Sequence, residues 1–349
     1  MKTADFKYLI AYIIPFSGFA AVYLMGWWSF LSFVIAFGII PLLESLLGIN
    51  SKNEAFETYE VKSNIKFFDG ILFLNIPIFY FLLFYTFSSV NAVPMDRHEW
   101  IGIVLSIGVI GGSAGINVAH ELGHKSGKWH QLASKILLLP TLYMHFFIEH
   151  NRGHHLNVST PKDPATSRLG EPLYFFWMRS VVRSYIHAWK LENDRLKKIG
   201  IGPLSFYNEM IQYTIAQISY LTLIFISFGP DGLLMALLVA LVSFLLLETI
   251  NYIEHYGLMR KILPNGRYEK VNVTHSWNSD HIIGRIMLYE LTRHSDHHHK
   301  ASKKYQALES YVESPQLPFG YPTSMLIALI PPLWFKIMNP KVKEVSLSA

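Results

Sequence analysis

Apolar residues in this chain gather into long runs separated by polar segments. Residues 7–27, 29–48, 66–88, 98–119, 211–228 and 232–250 each form a predominantly apolar run of about 18 to 23 residues. A helix rising 1.5 Å per residue needs about that length to cross a hydrocarbon core about 30 Å thick. The pattern predicts an all-α integral membrane protein with six transmembrane helices. Two further apolar stretches, 131–148 and 321–338, are broken by Pro140 and by Pro322, Pro331 and Pro332. Proline removes a backbone donor and interrupts a helix, so these are expected to be re-entrant or interfacial segments.

The polar positions orient the bundle. With six spans both termini fall on one side, and that side holds every Lys and Arg except Arg97. Cationic residues in short flanking loops resist translocation, so both termini and the large hydrophilic segments are expected in the cytoplasm. The opposite loops, near 26–28, 89–97 and Gly229-Pro-Asp-Gly232, are short. The first run lacks a small-residue cleavage site and reads as a permanent span. No internal repeat or long flexible linker divides the chain, and residues 1–349 are expected to form one membrane-embedded domain. Composition agrees, with 51% hydrophobic residues and a mean hydropathy of +0.26.

Sixteen histidines and no cysteine add chemistry to this bundle. Without thiolates there is no disulfide framework, no thiolate-ligated cluster or haem and no fused four-cysteine iron site, so any redox partner must be a separate protein. Nine of the histidines fall in four tight groups: His120-Glu-Leu-Gly-His124, His150-Asn-Arg-Gly-His154-His155, His255 in Asn251-Tyr-Ile-Glu-His-Tyr-Gly257, and His294-Ser-Asp-His297-His298. On a helix His120 and His124 lie about 40° apart, so one face aims both at a shared ion. Burying several imidazoles without a metal costs desolvation, whereas a cation uses every lone pair. Nine nitrogens exceed the need of one metal and point to a histidine-rich binuclear centre capping the cytoplasmic end of the bundle. His98, His130, His145, His187 and His281 stand outside the groups and read as ordinary hydrogen-bonded residues.

Imidazole alone does not choose among iron, zinc, copper and nickel. His120-Glu121-Leu-Gly-His124 also matches the His-Glu-x-x-His motif of zinc proteases, in which the glutamate is the general base. That reading leaves six grouped histidines without a task. A metal transporter is a third class, but its ligands belong near mid-membrane.

Four elements resemble the integral-membrane alkane 1-monooxygenases of the membrane fatty-acid desaturase and hydroxylase superfamily: His120-Glu-Leu-Gly-His-Lys125, Glu149-His-Asn-Arg-Gly-His-His155 with its extension to Glu171, Asn251-Tyr-Ile-Glu-His-Tyr-Gly-Leu258, and Leu291-Thr-Arg-His-Ser-Asp-His-His298. His275-Ser-Trp-Asn278, Arg293 and Leu317-Pro-Phe-Gly-Tyr321 look like the same branch, and the similarity spans roughly residues 10 to 340. Two departures stand out: His299 follows the last pair where alanine is expected, and Thr292 replaces a usual glutamine. His299 is expected to be an extra histidine that holds no metal.

The resemblance implies two non-haem irons held by His120, His124, His150, His154, His155, His255, His294, His297 and His298. It implies a reaction with dioxygen that converts the terminal methyl of a linear alkane into a primary alcohol. Electrons would come from a separate rubredoxin and its reductase, at the inner membrane of a bacterium, in contact with membrane lipid and with no nucleic acid involved. Glu121, Glu149, Glu254, Asp296 and Glu248 are expected to support the ligands. A hydroxylase of methyl groups on aromatic rings, or a desaturase, is the nearest alternative. An alkane offers no polar handle, so selection must lie in an apolar channel. Phe33, Ala36, Phe37 and Ile40 on the second span are the expected walls, with Ala36 and Gly38 leaving space or serving helix packing.

Overall fold

The computed structural model describes residues 3–53, 62 and 64–348. Among these residues the chain is all helical, with isolated β-bridges and no strand. Five helices are long and apolar enough to cross a membrane: α1 (Asp5–Leu24), α2 (Gly26–Leu47), α3 (Lys66–Ala92), α4 (Arg97–Gly123) and α8 (Glu209–His255). Between α4 and α8 lie α5 (Lys128–Leu138), α6 (146–157) and α7 (Leu173–Lys198). Four helices follow: α9 (Ile282–Met287), α10 (His294–His299), α11 (Tyr321–Ala328) and α12 (Pro331–Ser348).

The fifth and sixth apolar runs appear as one 47-residue stretch broken at a single residue, Gly229, whose φ of 65° precedes Pro230. Contacts show that the chain turns back there. Glu209 at the start of α8 pairs with Lys135 and Arg152 beside the histidines, the Phe228 carbonyl accepts from Asn91 at the far end of α3, and His255 has returned to the histidines. Glycine tolerates the left-handed backbone of this reversal, and proline cannot extend the preceding helix.

The proline-broken stretches behave as their residues dictate. α5 stops just before Pro140, and Pro331 starts a new helix after α11. α4 is the buried centre of the bundle, and small residues let α8 close on it. A Cβ at Gly108 would stand 2.4 Å from Val242 Cγ1, and one at Gly111 would stand 2.0 Å from Ser243 Oγ. α4 then widens into a π-helical turn from Gly111 to Asn117 before delivering His120.

An ion cluster positions α10. The Glu290 carboxylate is buried between the Arg285 guanidinium (2.6 Å), the Lys7 ammonium (2.8 Å) and the Tyr8 hydroxyl (2.8 Å). It ties the N-terminal helix to the loop that enters the last histidine group. Tyr289 and Glu290 both take positive φ, 51° and 58°, a costly conformation for side-chain-bearing residues that this clamp holds in place.

Burial alone would raise the Glu290 carboxyl, but Arg285 and Lys7 outweigh it and hold the group at about 2. A carboxylate depressed below its usual 4.3 or so contributes stability that is complete above that value and is lost as pH falls toward the folded value. Glu290→Gln is therefore expected to destabilise the protein by about 3–5 kcal/mol at neutral pH, because it strands a buried arginine. The gap to wild type should shrink between about pH 4 and pH 2. Unfolding followed against pH measures this, and a gap that is constant down to pH 2 would contradict it.

Candidate metal centre

The nine grouped histidines converge from four helices into two sets. His120, His124, His150, His155 and His297 form one, and His154, His255, His294 and His298 form the other, with the candidate ligand atoms of each set within 4.8 Å of one another. Their division does not follow the sequence groups. His150 and His155 join the first set while His154, between them, joins the second. The cause is local backbone geometry: His150 to His154 form a π turn, closed by a bond from the His155 amide to the His150 carbonyl. On an α-helix positions i and i+5 point about 140° apart, whereas an i→i+5 turn stacks them on one side. His150 Nε2 and His155 Nε2 accordingly lie 3.0 Å apart. On α10 ordinary helical spacing splits the trio, with His294 and His298 facing the second set and His297 the first.

Hydrogen bonding among the imidazoles cannot satisfy this geometry. His150 Nε2 is 3.0 Å from Nε2 of His120, of His124 and of His155, yet one ring nitrogen carries either one proton or one lone pair. In the second set Nε2 of His298 is 2.9 Å from His294 and 3.2 Å from His154, and His294 is 3.2 Å from His255. Lone pairs converging at about 3 Å match the separation of neighbouring ligands around an ion bound at about 2.1 Å. Each set therefore fits a cation.

Electrostatics agree. Burial, reinforced by the neighbouring imidazoles, holds His124, His150, His155, His294, His297 and His298 well below the ordinary histidine range, so their rings are neutral and their lone pairs available. His154 differs. Burial lowers it, but the Asp163 carboxylate at 2.9 Å from its Nδ1 outweighs that and raises it.

The carboxylates expected behind the ligands occupy varied positions. Glu254 is in direct contact: its Oε2 lies 3.1 Å from His294 Nε2 while Tyr321 donates to its Oε1 at 2.8 Å, so it points into the second set. Glu121 faces the Lys125 ammonium at 3.6 Å and the Tyr305 amide at 3.4 Å. Asp296 binds Lys303 and the Glu309 amide, both at 2.7 Å. Glu149 binds His187 at 3.1 Å, and Glu248 accepts from Tyr143 at 2.7 Å; both line a small pocket against His150 and His154. His299 is exposed, with its ring near Tyr311 and outside both sets. Two supports were not anticipated: Asp163 on His154, and Ser276, whose hydroxyl lies 3.4 Å from His255 Nδ1. Asp163 had a signal, being the only acid between His155 and Glu171.

An apolar cavity runs from the bundle to His120. Ala36, Phe37 and Ile40 line it, with Met287 and Leu291 opposite. Phe33 instead lines a neighbouring cavity, which shares Phe37, Leu246 and Met325 with the first.

Residues 98–325 match the fatty acid desaturase family, and the chain is 39% identical to an alkane 1-monooxygenase of Pseudomonas putida over 91% of its own length and 79% of that protein. The chain belongs to the alkane 1-monooxygenase group of the fatty acid desaturase family. A second member of the group, alkane 1-monooxygenase 1 of Pseudomonas aeruginosa, is 40% identical over 91% of this chain and 84% of its own. The xylene/toluene monooxygenase hydroxylase component XylM of Pseudomonas putida is 26% identical over 97% of this chain and 89% of its own.

Partners that fix a ligand ring are worth about 10–100-fold in metal affinity. Asp163→Asn is expected to weaken retention of one metal per chain by that order, while His299→Ala leaves metal content unchanged. Metal analysis after graded chelator challenge measures both, and equal retention in Asp163→Asn and wild type would exclude the support.

Proposed function

We propose that this chain hydroxylates the terminal methyl of linear alkanes, using dioxygen and two histidine-held irons. The observation that carries the reading is the apolar cavity closed by His120, one of nine converging imidazoles. In this reading His120, His124, His150, His155 and His297 hold one iron and His154, His255, His294 and His298 the other, with Glu254 beside the second. Bound iron supplies the reduction and cleavage of dioxygen, with one oxygen atom going to substrate and the other to water.

The chain's own residues bind and aim the substrate. An unreactive hydrocarbon partitions from the membrane into the cavity, and burial of its methylenes supplies about 0.8 kcal/mol each. Ala36, Phe37 and Ile40 on one wall and Met287 and Leu291 on the other present no charged group to it, so only shape sets how far the chain advances toward His120. The protein has six spans, the two halves of α8 crossing separately about Gly229, with both termini and the histidines on the cytoplasmic side of a bacterial inner membrane. Electrons arrive from a separate rubredoxin and its reductase, because the chain has no cysteine of its own. The His-Glu-x-x-His protease reading gains no support, since Glu121 is engaged by Lys125 and the Tyr305 amide.

Purified protein is expected to contain two irons per chain and to convert octane through hexadecane to 1-alkanols with reduced rubredoxin under oxygen. One zinc per chain and no oxygen-dependent product would sink the proposal; benzylic alcohol or alkene as main product would move the chain to the alternative chemistries of its superfamily. Ala36→Trp is expected to fill the cavity wall and shorten the longest alkane accepted by several carbons, with total iron unchanged. A chain-length profile identical to wild type would remove Ala36 from the wall that selects substrate.

A further inference from the structure

α7 divides into three faces. Ser180, Ser184 and Ala188 are buried against the bundle. Phe175, Met178, Val182 and Ile186, spaced i, i+3, i+7 and i+11, form an apolar stripe on the opposite face, with exposures of 71%, 71%, 52% and 61%. At 100° per residue, Arg183 and Lys190 fall roughly 90° round from that stripe, along one edge. A helix needs no such stripe to fold, and an exposed apolar stripe this long marks contact with another phase or partner.

The level of the helix says which. Trp177 donates to Thr249 Oγ1 at 3.1 Å, and Tyr174 donates to the Leu329 carbonyl at 2.7 Å. Trp177 also lines the second apolar cavity with Val242 and Leu245, deep in the last apolar run. The first half of α7 therefore packs beside the last apolar run of α8, and its stripe faces away from the bundle at that level.

The charged edge closes a groove with the loop from Pro161 to Pro164. Lys162, Arg183, His187, Lys190 and Ile186 line it. Lys162, Arg183 and Lys190 are exposed, and no acidic partner among the described residues pairs with any of them. Asp163, the acid in the groove, is committed to His154 and Thr166. Ile186 belongs to both the groove and the apolar stripe, so the groove opens onto the surface where acyl chains would run.

We propose that α7 is an in-plane membrane helix whose groove binds the phosphate of an anionic phospholipid, held by Arg183, Lys190 and Lys162 with the acyl chains along Val182 and Ile186. Paired cations and apolar contact at the cytoplasmic interface are the elements of such recognition. Because the groove floor is Asp163, the lipid would sit one side chain away from His154, coupling the membrane surface to the metal centre.

The test compares purified protein with phosphatidylglycerol and with phosphatidylcholine by native mass spectrometry and by titration in detergent, alongside iron content. Wild type should retain phosphatidylglycerol in preference. Each cation near an anionic surface is worth about fivefold, so the triple variant Lys162→Glu, Arg183→Glu, Lys190→Glu is expected to lose well over tenfold in phosphatidylglycerol affinity with phosphatidylcholine binding unchanged. Val182→Asp with Ile186→Asp should weaken both lipids. Lys198→Glu, at the end of the helix away from the groove, controls for net charge and should change neither. Wild-type phosphatidylglycerol retention in a folded triple variant overturns the proposal. So does loss of affinity for reduced rubredoxin with lipid retention intact, which would assign the cations to an acidic protein instead. None of these readouts depends on alkane turnover.

Discussion

His150 Nε2 stands within 3.0 Å of three other imidazole nitrogens, and it has one proton or one lone pair with which to answer them. Removing so many ring nitrogens from water without partners would cost more than a folded protein can supply, since net stabilities are on the order of 5–15 kcal/mol. The arrangement is consistent only if cations take the lone pairs. Ions held there would tie every element that ends at this place to the others, beyond the modest packing forces available between apolar helices in lipid.

The rest of the architecture brings those nitrogens together. α4 and α8 approach closely because Gly108 and Gly111 carry no Cβ, and this sets His120 and His255 at one level. Glu290, locked by Arg285, Lys7 and Tyr8, fixes the loop that enters α10. The Glu209 carboxylate, shared by Lys135 and Arg152, anchors the start of α8 to α5 and α6. The buried Glu290–Arg285 pair contributes little net stability but defines position, because either member left alone is severely penalised. These ion pairs form a polar shell around the histidines at the end where the apolar bundle meets water.

Helices and grouped histidines were legible in the sequence because both are written in side-chain type: apolar runs of membrane length, prolines that stop α5 and start α12, histidines a few residues apart. The reversal in α8 was legible at Gly229-Pro230 for the same reason. Ala36, Phe37 and Ile40 line the cavity that reaches His120, whereas Phe33 looks into the next cavity, one turn away on the same helix. The division of the nine histidines was not legible. It depends on a π turn, and no residue type encodes i→i+5 bonding; read as an α-helix, His150 and His155 point apart. The role of Asp163 is not legible either, because it acts across a loop on a histidine nine residues earlier, a relation that helical spacing cannot supply.

The π turn also bears on why two sets form instead of one. Were 150–154 an α-helix, His150 and His154 would share a face and compete for one ion, leaving His155 turned away. Widening by one residue per turn sends His154 toward α8 and returns His150 and His155 to α4. The same turn leaves Gly153 where a Cβ would stand 2.8 Å from Glu149 Oε1 and 2.9 Å from His187, so only glycine lets the Glu149 to His187 bond pass beneath it. π turns of this kind persist where function repays their poorer backbone geometry. Here that return is a second histidine set within ring-contact distance of the first, with His154 and His155 side by side in sequence and belonging to different sets.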